Sequence, residues 1–99
     1  MKIQDETLEP YEIVMDGSNY SVEQKSDKLN KEGDLITKNQ GYFTSLYSAI
    51  GKIISLKLIS SNKSVTLKEF ILEYTSIKND IKNSIGFWSW TLVKQTNGN

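Results

Sequence analysis

Tyr11-Glu-Ile-Val-Met-Asp-Gly-Ser-Asn-Tyr-Ser-Val-Glu-Gln-Lys25 is the stretch that decides the fold. Tyr11, Ile13 and Met15 alternate with Glu12, Val14 and Asp16, the period of a strand with one better-buried face. Tyr20 to Lys25 alternates again. Between the two runs, Asp16-Gly17-Ser18-Asn19 is turn chemistry, because Asp, Asn and Gly tolerate the positive-φ positions of a tight hairpin loop. Two antiparallel strands closed by a short turn follow.

Toward the C-terminus, residues 26–34 read as a second turn region and residues 35–43 as a third strand. Gly41 within it predicts a bulge or bend that re-aims Tyr42 and Phe43. Thr44 or Ser45 then caps a helix with Leu46, Ala49, Ile50, Ile53, Ile54 and Leu56 on one stripe, ending at Ser60-Ser61-Asn62. Thr66-Leu-Lys-Glu69 is a capping box: the threonine oxygen accepts from the amide three residues on, and Glu69 reaches back. Val65 and Phe70 flank it as a hydrophobic staple. Leu67, Phe70, Ile71, Tyr74, Ile77, Ile81 and Ile85 keep the helical period up to Gly86, placed as a C-terminal cap. Residues 87–93 are β-branched and aromatic, so they read as a strand. On a strand, Trp88, Trp90 and Leu92 share one face, and Phe87 and Val93 the other.

The expectation is one α+β domain over residues 1–99: a three-stranded antiparallel sheet followed by two helices packed on one face, with a short C-terminal strand or aromatic tail. Residues 1–9 form an arm, 10–44 the strands, 45–85 the helices, 86–94 the aromatic segment and 95–99 a frayed end. The expected core includes Ile13, Val22, Leu46, Ile50, Ile53, Ile54, Phe70, Ile71, Ile77 and Ile81.

Composition removes much chemistry. With no cysteine there are no disulfides or thiolates. With no histidine, the commonest general base and zinc ligand are missing. All twelve basic residues are lysine, which lacks the forked contacts arginine makes to phosphate or guanine. Neither a secretory signal nor a transmembrane span is expected, since the longest apolar run near the start is Ile13-Val14-Met15. The net charge is zero but uneven: residues 1–40 hold nine acids against five lysines, and residues 41–99 three acids against seven lysines. That asymmetry suits a dipolar molecule that orients toward a charged partner.

Ser48/Lys52 and Ser64/Lys68 have the spacing of a Ser–Lys nucleophile, but lysines four residues from a serine are common on helices. Asp5/Glu6 and Glu69/Glu73 pair carboxylates, yet Glu69 already serves the cap. Asp27, Asn30, Glu32 and Asp34 lack the ordered ligand spacing of a calcium loop, and the scattered glycines form no phosphate loop. Lys52, Lys57, Lys63 and Lys68 with Tyr47 make a thin basic stripe for nucleic acid. No catalytic residue, metal or cofactor is assigned. The most unusual feature is the aromatic payload of Phe87, Trp88 and Trp90: it either covers the open end of the small core or pairs with the sheet, or, being of residue types enriched in binding hot spots, supplies the candidate partner contacts.

Residues 11–85 resemble a type of small phage and prophage protein of Gram-positive bacteria. The likeness rests on the Tyr-centred hairpin, Lys31-Glu-Gly33, Gly41-Tyr-Phe-Thr-Ser-Leu46 running into a helix, and Val65-Thr-Leu-Lys-Glu69 opening a second. It implies a phage or mobile-element accessory protein and no activity. The functional expectation is therefore a non-enzymatic, cytoplasmic protein that binds, and inhibits, a host protein such as a bacterial defence component, with self-association as a further option. The alternative is binding of nucleic acid or a nucleotide-like ligand.

Overall fold

The computed structural model describes residues 1–60 and 63–95. Four strands form one antiparallel sheet: β1 (Lys2–Ile3), β2 (Tyr11–Asp16), β3 (Asn19–Leu29) and β4 (Leu35–Phe43), in that spatial order. Three helices follow: α1 (Leu46–Ile59), α2 (Leu67–Ile85) and α3 (Phe87–Gln95). The class is α+β, as the periodicity predicts, with one strand and one helix more than expected.

The hairpin closes as its sequence dictates. Asp16 pairs with Asn19 across a loop of Gly17 and Ser18, and Gly17 has φ 63°. Register then sets Ile13 opposite Val22, and neither has any solvent exposure. Between β3 and β4 the pairs Val22–Gly41 and Glu23–Asn39 leave Gln40 as the extra residue of a bulge. Gly41 sits at φ 144°, a conformation that favours glycine, and a Cβ there would come within 3.2 Å of the Phe43 ring, a tight contact.

The arm expected at residues 1–9 is in fact structured. β1 pairs Lys2 with Val14 and Ile3 with Ile13, a 3₁₀ turn spans Glu6–Leu8, and Leu8 is buried. The second turn region is also shorter than expected. β3 runs on to Leu29, and the reversal is held by the Asn30 side-chain oxygen, which accepts from the amides of Glu32 (3.0 Å) and Asp34 (2.9 Å). That oxygen is thus committed to turn geometry.

The helices follow their caps. Ser45 accepts from the Ser48 amide at 3.1 Å and opens α1. Thr66 and Glu69 make both halves of the capping box, with the Glu69 amide 3.2 Å from the Thr66 hydroxyl. The Gly86 amide donates to the Lys82 carbonyl and, at φ 86°, ends α2. Ala49, Ile50, Ile53 and Ile54 of α1 pack on the sheet with Tyr11, Ile13 and Val22, and Ile81 joins from α2. Leu46, Phe70 and Ile77 are half-buried. Ile71, expected in the core, is exposed, because its turn of α2 lies outside the buried cluster. Ser61 and Asn62 and the end beyond Gln95 lie outside the described residues.

Candidate interaction surface and clefts

The aromatic segment is a helix, not a strand. Once Gly86 turns the chain, the Trp90 amide donates to the Gly86 carbonyl at 3.0 Å and starts α3. A helical period places Trp90 and Val93 on one side and Trp88 and Leu92, one turn apart, on another. Trp90 is only 4% exposed and meets Tyr47 of α1 edge-on, with centroids 5.6 Å apart. Trp88 is 78% and Leu92 63% exposed. Trp88 and Trp90 therefore do not act as one patch. Trp90 belongs to the core, Trp88 and Leu92 are both exposed on the outer face of α3, and Phe87 lies at the first position of α3. The sequence did carry the right signal: Trp90 and Val93 are three apart, and Trp88 and Leu92 four apart.

Two clefts flank this helix. The first, of about 230 Å³, is walled by Tyr47, Tyr74 and Trp90, with Ser48 and Lys78 as polar members. Gly51 makes room for the Tyr74 hydroxyl, which would lie 3.2 Å from a Cβ at that position. Burial, aided by the neighbouring Tyr47, pushes the Tyr74 phenol pKa up, so it stays a neutral donor. The second, of about 320 Å³, opens between the 3₁₀ turn, the start of α1 and the end of α2, and is mainly aliphatic.

The other face of the sheet carries two carboxylates. Glu12 of β2 stands opposite Glu23 of β3. Glu12 is buried; Gln4 donates to it at 3.3 Å and the Lys2 ammonium lies 4.0 Å away. Glu23 accepts from Ser21, Thr37 (3.1 Å) and Asn39 (2.6 Å). Both carboxylates are held by cross-strand partners, an arrangement that ties strands together. Among the described residues no group of three His, Cys, Asp or Glu is placed to hold a metal ion, and no helix is long and apolar enough to cross a membrane.

The basic stripe is divided. Lys57 donates to the Thr7 carbonyl at 2.8 Å, and Lys63 pairs with Glu73 at 2.7 Å. Ser48, half of one candidate Ser–Lys pair, instead accepts from the Ser45 hydroxyl at 2.9 Å in the cap of α1. Asp5, half of a carboxylate pair, caps the 3₁₀ turn, and its bonds from the Thr7 hydroxyl and amide hold its pKa below the ordinary range. Comparison with protein-family profiles, curated proteins and solved structures finds no match to this chain.

Proposed function

We propose that this chain is a non-enzymatic accessory protein of phage or mobile-element origin that binds and inhibits a host protein, such as a defence component, through the outer face of α3. The observation that carries the reading is Trp88, 78% exposed, one helical turn from Leu92, 63% exposed. A large aromatic beside an aliphatic on a helix face is the form of anchor that fills a partner's pocket. Origin and host partner rest on the resemblance of residues 11–85 to phage accessory proteins. The helical layer also has a surplus of lysine: from residue 46 onward there are seven lysines against three acids. The partner surface it suits is an apolar pocket with an acidic rim.

The test compares Trp88→Ala and Leu92→Ala with the parent in capture of a single partner from host lysate. Loss of that partner with unfolding unchanged supports the reading. Retention of the same partner by both variants overturns it.

The cleft of Tyr47, Tyr74 and Trp90 with Lys78 favours a second reading, a nucleotide-like ligand, since aromatic walls stack a base and a lysine meets an anion. At about 230 Å³ it falls below the roughly 300–1,000 Å³ of drug-sized sites, so it suits a base or single ring rather than a nucleic-acid strand. A thermal shift with mononucleotides that is abolished by Lys78→Ala would favour this reading.

A further inference from the structure

We propose that the aliphatic cleft between the N-terminal 3₁₀ turn and the C-terminal ends of α2 and α3 binds a short, uncharged aliphatic molecule with a hydroxyl or amide head. This is independent of the outer face of α3.

Leu8, Ile13, Leu46, Ile50, Ile81 and Val93 contribute the walls, from five different elements. Among the described side chains no aromatic lines it. A chain of 99 residues has one modest core, and an aliphatic guest seated beside it would gain dispersion contacts with these walls. The volume of about 320 Å³ sits at the low end of small-molecule sites, roughly 300–1,000 Å³, which suits a chain of several carbons rather than a lipid or a cofactor.

The polar members select the head group. Gln4, Asp5, Thr7 and Ser89 line the same cleft, and no lysine does among the described residues. Asp5 is anionic at neutral pH: its carboxylate accepts from the Thr7 amide (2.9 Å) and hydroxyl (2.6 Å), and these bonds favour the charged form. A carboxylate or phosphate head would meet that charge; among the described residues no lysine lines the cleft, and Lys57 beside it is engaged by the Thr7 carbonyl at 2.8 Å. A hydroxyl or amide can bond to Gln4 or Ser89 without a charge conflict. A fatty acid is therefore disfavoured, although the walls alone would accept one.

The experiment titrates the full chain with 1-hexanol, hexanoate and hexylamine, following backbone amide shifts by NMR. The expected result is saturable movement of amides at Leu8, Leu46, Ile81 and Val93 with hexanol, and at least about tenfold weaker binding of hexanoate, roughly 1.4 kcal/mol. Val93→Phe fills the cleft from α3 and Ser89→Leu narrows its rim; each should weaken hexanol binding by about tenfold or more, while Trp88→Ala leaves it unchanged. If Val93→Phe does not fold, Ser89→Leu, at an exposed position, carries the test. Non-saturable shifts with hexanol, binding of hexanoate as tight as hexanol, or full binding by the folded filling variants would each overturn the proposal. Tighter binding of hexylamine than hexanol would overturn the uncharged head and assign Asp5 a cation instead.

Discussion

Trp88 and Trp90 are two residues apart in the chain and differ in environment as much as two side chains can, so they make a paired test of the structure. Trp90→Ala removes a side chain 4% exposed and packed edge-on to Tyr47. Truncation of a buried tryptophan costs about 3–5 kcal/mol. The edge-on aromatic pair contributes about 0.5–1.5 kcal/mol beyond its buried area. α3 is the last described element, so its release limits the loss to the free energy that docks it on α1 and α2. We expect about 3 kcal/mol, a fall of roughly 12–24 °C in Tm at ~4–8 °C per kcal/mol for a chain this size. Trp88→Ala removes a side chain 78% exposed, and the expected change stays within about 0.5 kcal/mol. Urea unfolding followed by circular dichroism measures both. Each variant also keeps a single tryptophan, so fluorescence assigns the two environments. The Trp88→Ala protein should emit as a buried indole that shifts on unfolding; the Trp90→Ala protein should already emit near the solvated limit. Equal destabilisation by the two changes, or a solvated spectrum from Trp90, would refute the helical placement.

Four further outcomes can be measured. Thr66→Ala should lower stability by about 1 kcal/mol, the usual contribution of a helix cap, read from the urea midpoint. The same cap predicts a pH dependence: the Thr66 amide and hydroxyl hold the Glu69 pKa below its ordinary value, so the stability it adds is fully present above the ordinary glutamate range and is lost as pH falls through the depressed value. In Thr66→Ala the residue-66 amide still donates to Glu69, so an NMR titration should move Glu69 only part-way back toward the ordinary range; an unmoved titration would remove the Thr66 hydroxyl from the explanation. Gly41→Ala should cost more than about 1 kcal/mol, because φ 144° disfavours any Cβ and the Phe43 ring leaves 3.2 Å for it. Chelation of divalent metals should leave Tm unchanged; a drop of several degrees would redirect attention to Asp27, Glu32 and Asp34.

What could be read from the sequence was whatever leaves a side-chain signature. The Asp16–Asn19 turn, the Ser45 cap, the Thr66–Glu69 box, the Gly41 bulge and the Gly86 stop each place a particular residue type where backbone geometry needs it, and each is found in the structure. β1 left no such signature. It is two residues long, and its pairing runs through backbone groups, with the Met15 amide donating to the Met1 carbonyl at 2.9 Å. The far end of β3 was missed for a related reason: from Ser26 on it is exposed, so no alternation records it. α3 failed differently. Trp88, Trp90 and Leu92 fit a period of two, and the same segment fits a helix through Trp90 and Val93. Propensity favoured the strand, and packing of Trp90 against Tyr47 decided for the helix. Glu12 read as an outward residue and does face away from the helices, yet Gln4 and Lys2 lie over it; that burial comes from the N-terminal segment folding back, which no local pattern announces.

The uneven charge gains meaning once the layers are known. Every charged residue up to position 45 belongs to the sheet and its connections, nine acids against five lysines; every later one belongs to the helices and their connections, three acids against seven lysines. The split seen along the chain is thus a split between two stacked layers, with acid on the sheet side and lysine on the helix side. Such an arrangement turns a molecule of zero net charge in the field of a charged partner. The exposed Trp88 and Leu92 lie on the lysine-bearing layer, so orientation by charge and anchoring by apolar contact would present the same face. The two contributions separate kinetically. Steering by rim charge acts on the association rate and weakens as salt rises, whereas a buried anchor acts on dissociation. A partner that docks on α3 should therefore associate more slowly at high salt, and dissociate faster from Trp88→Ala at any salt. A partner that docks on the sheet would share neither dependence on Trp88 nor the requirement for an acidic surface.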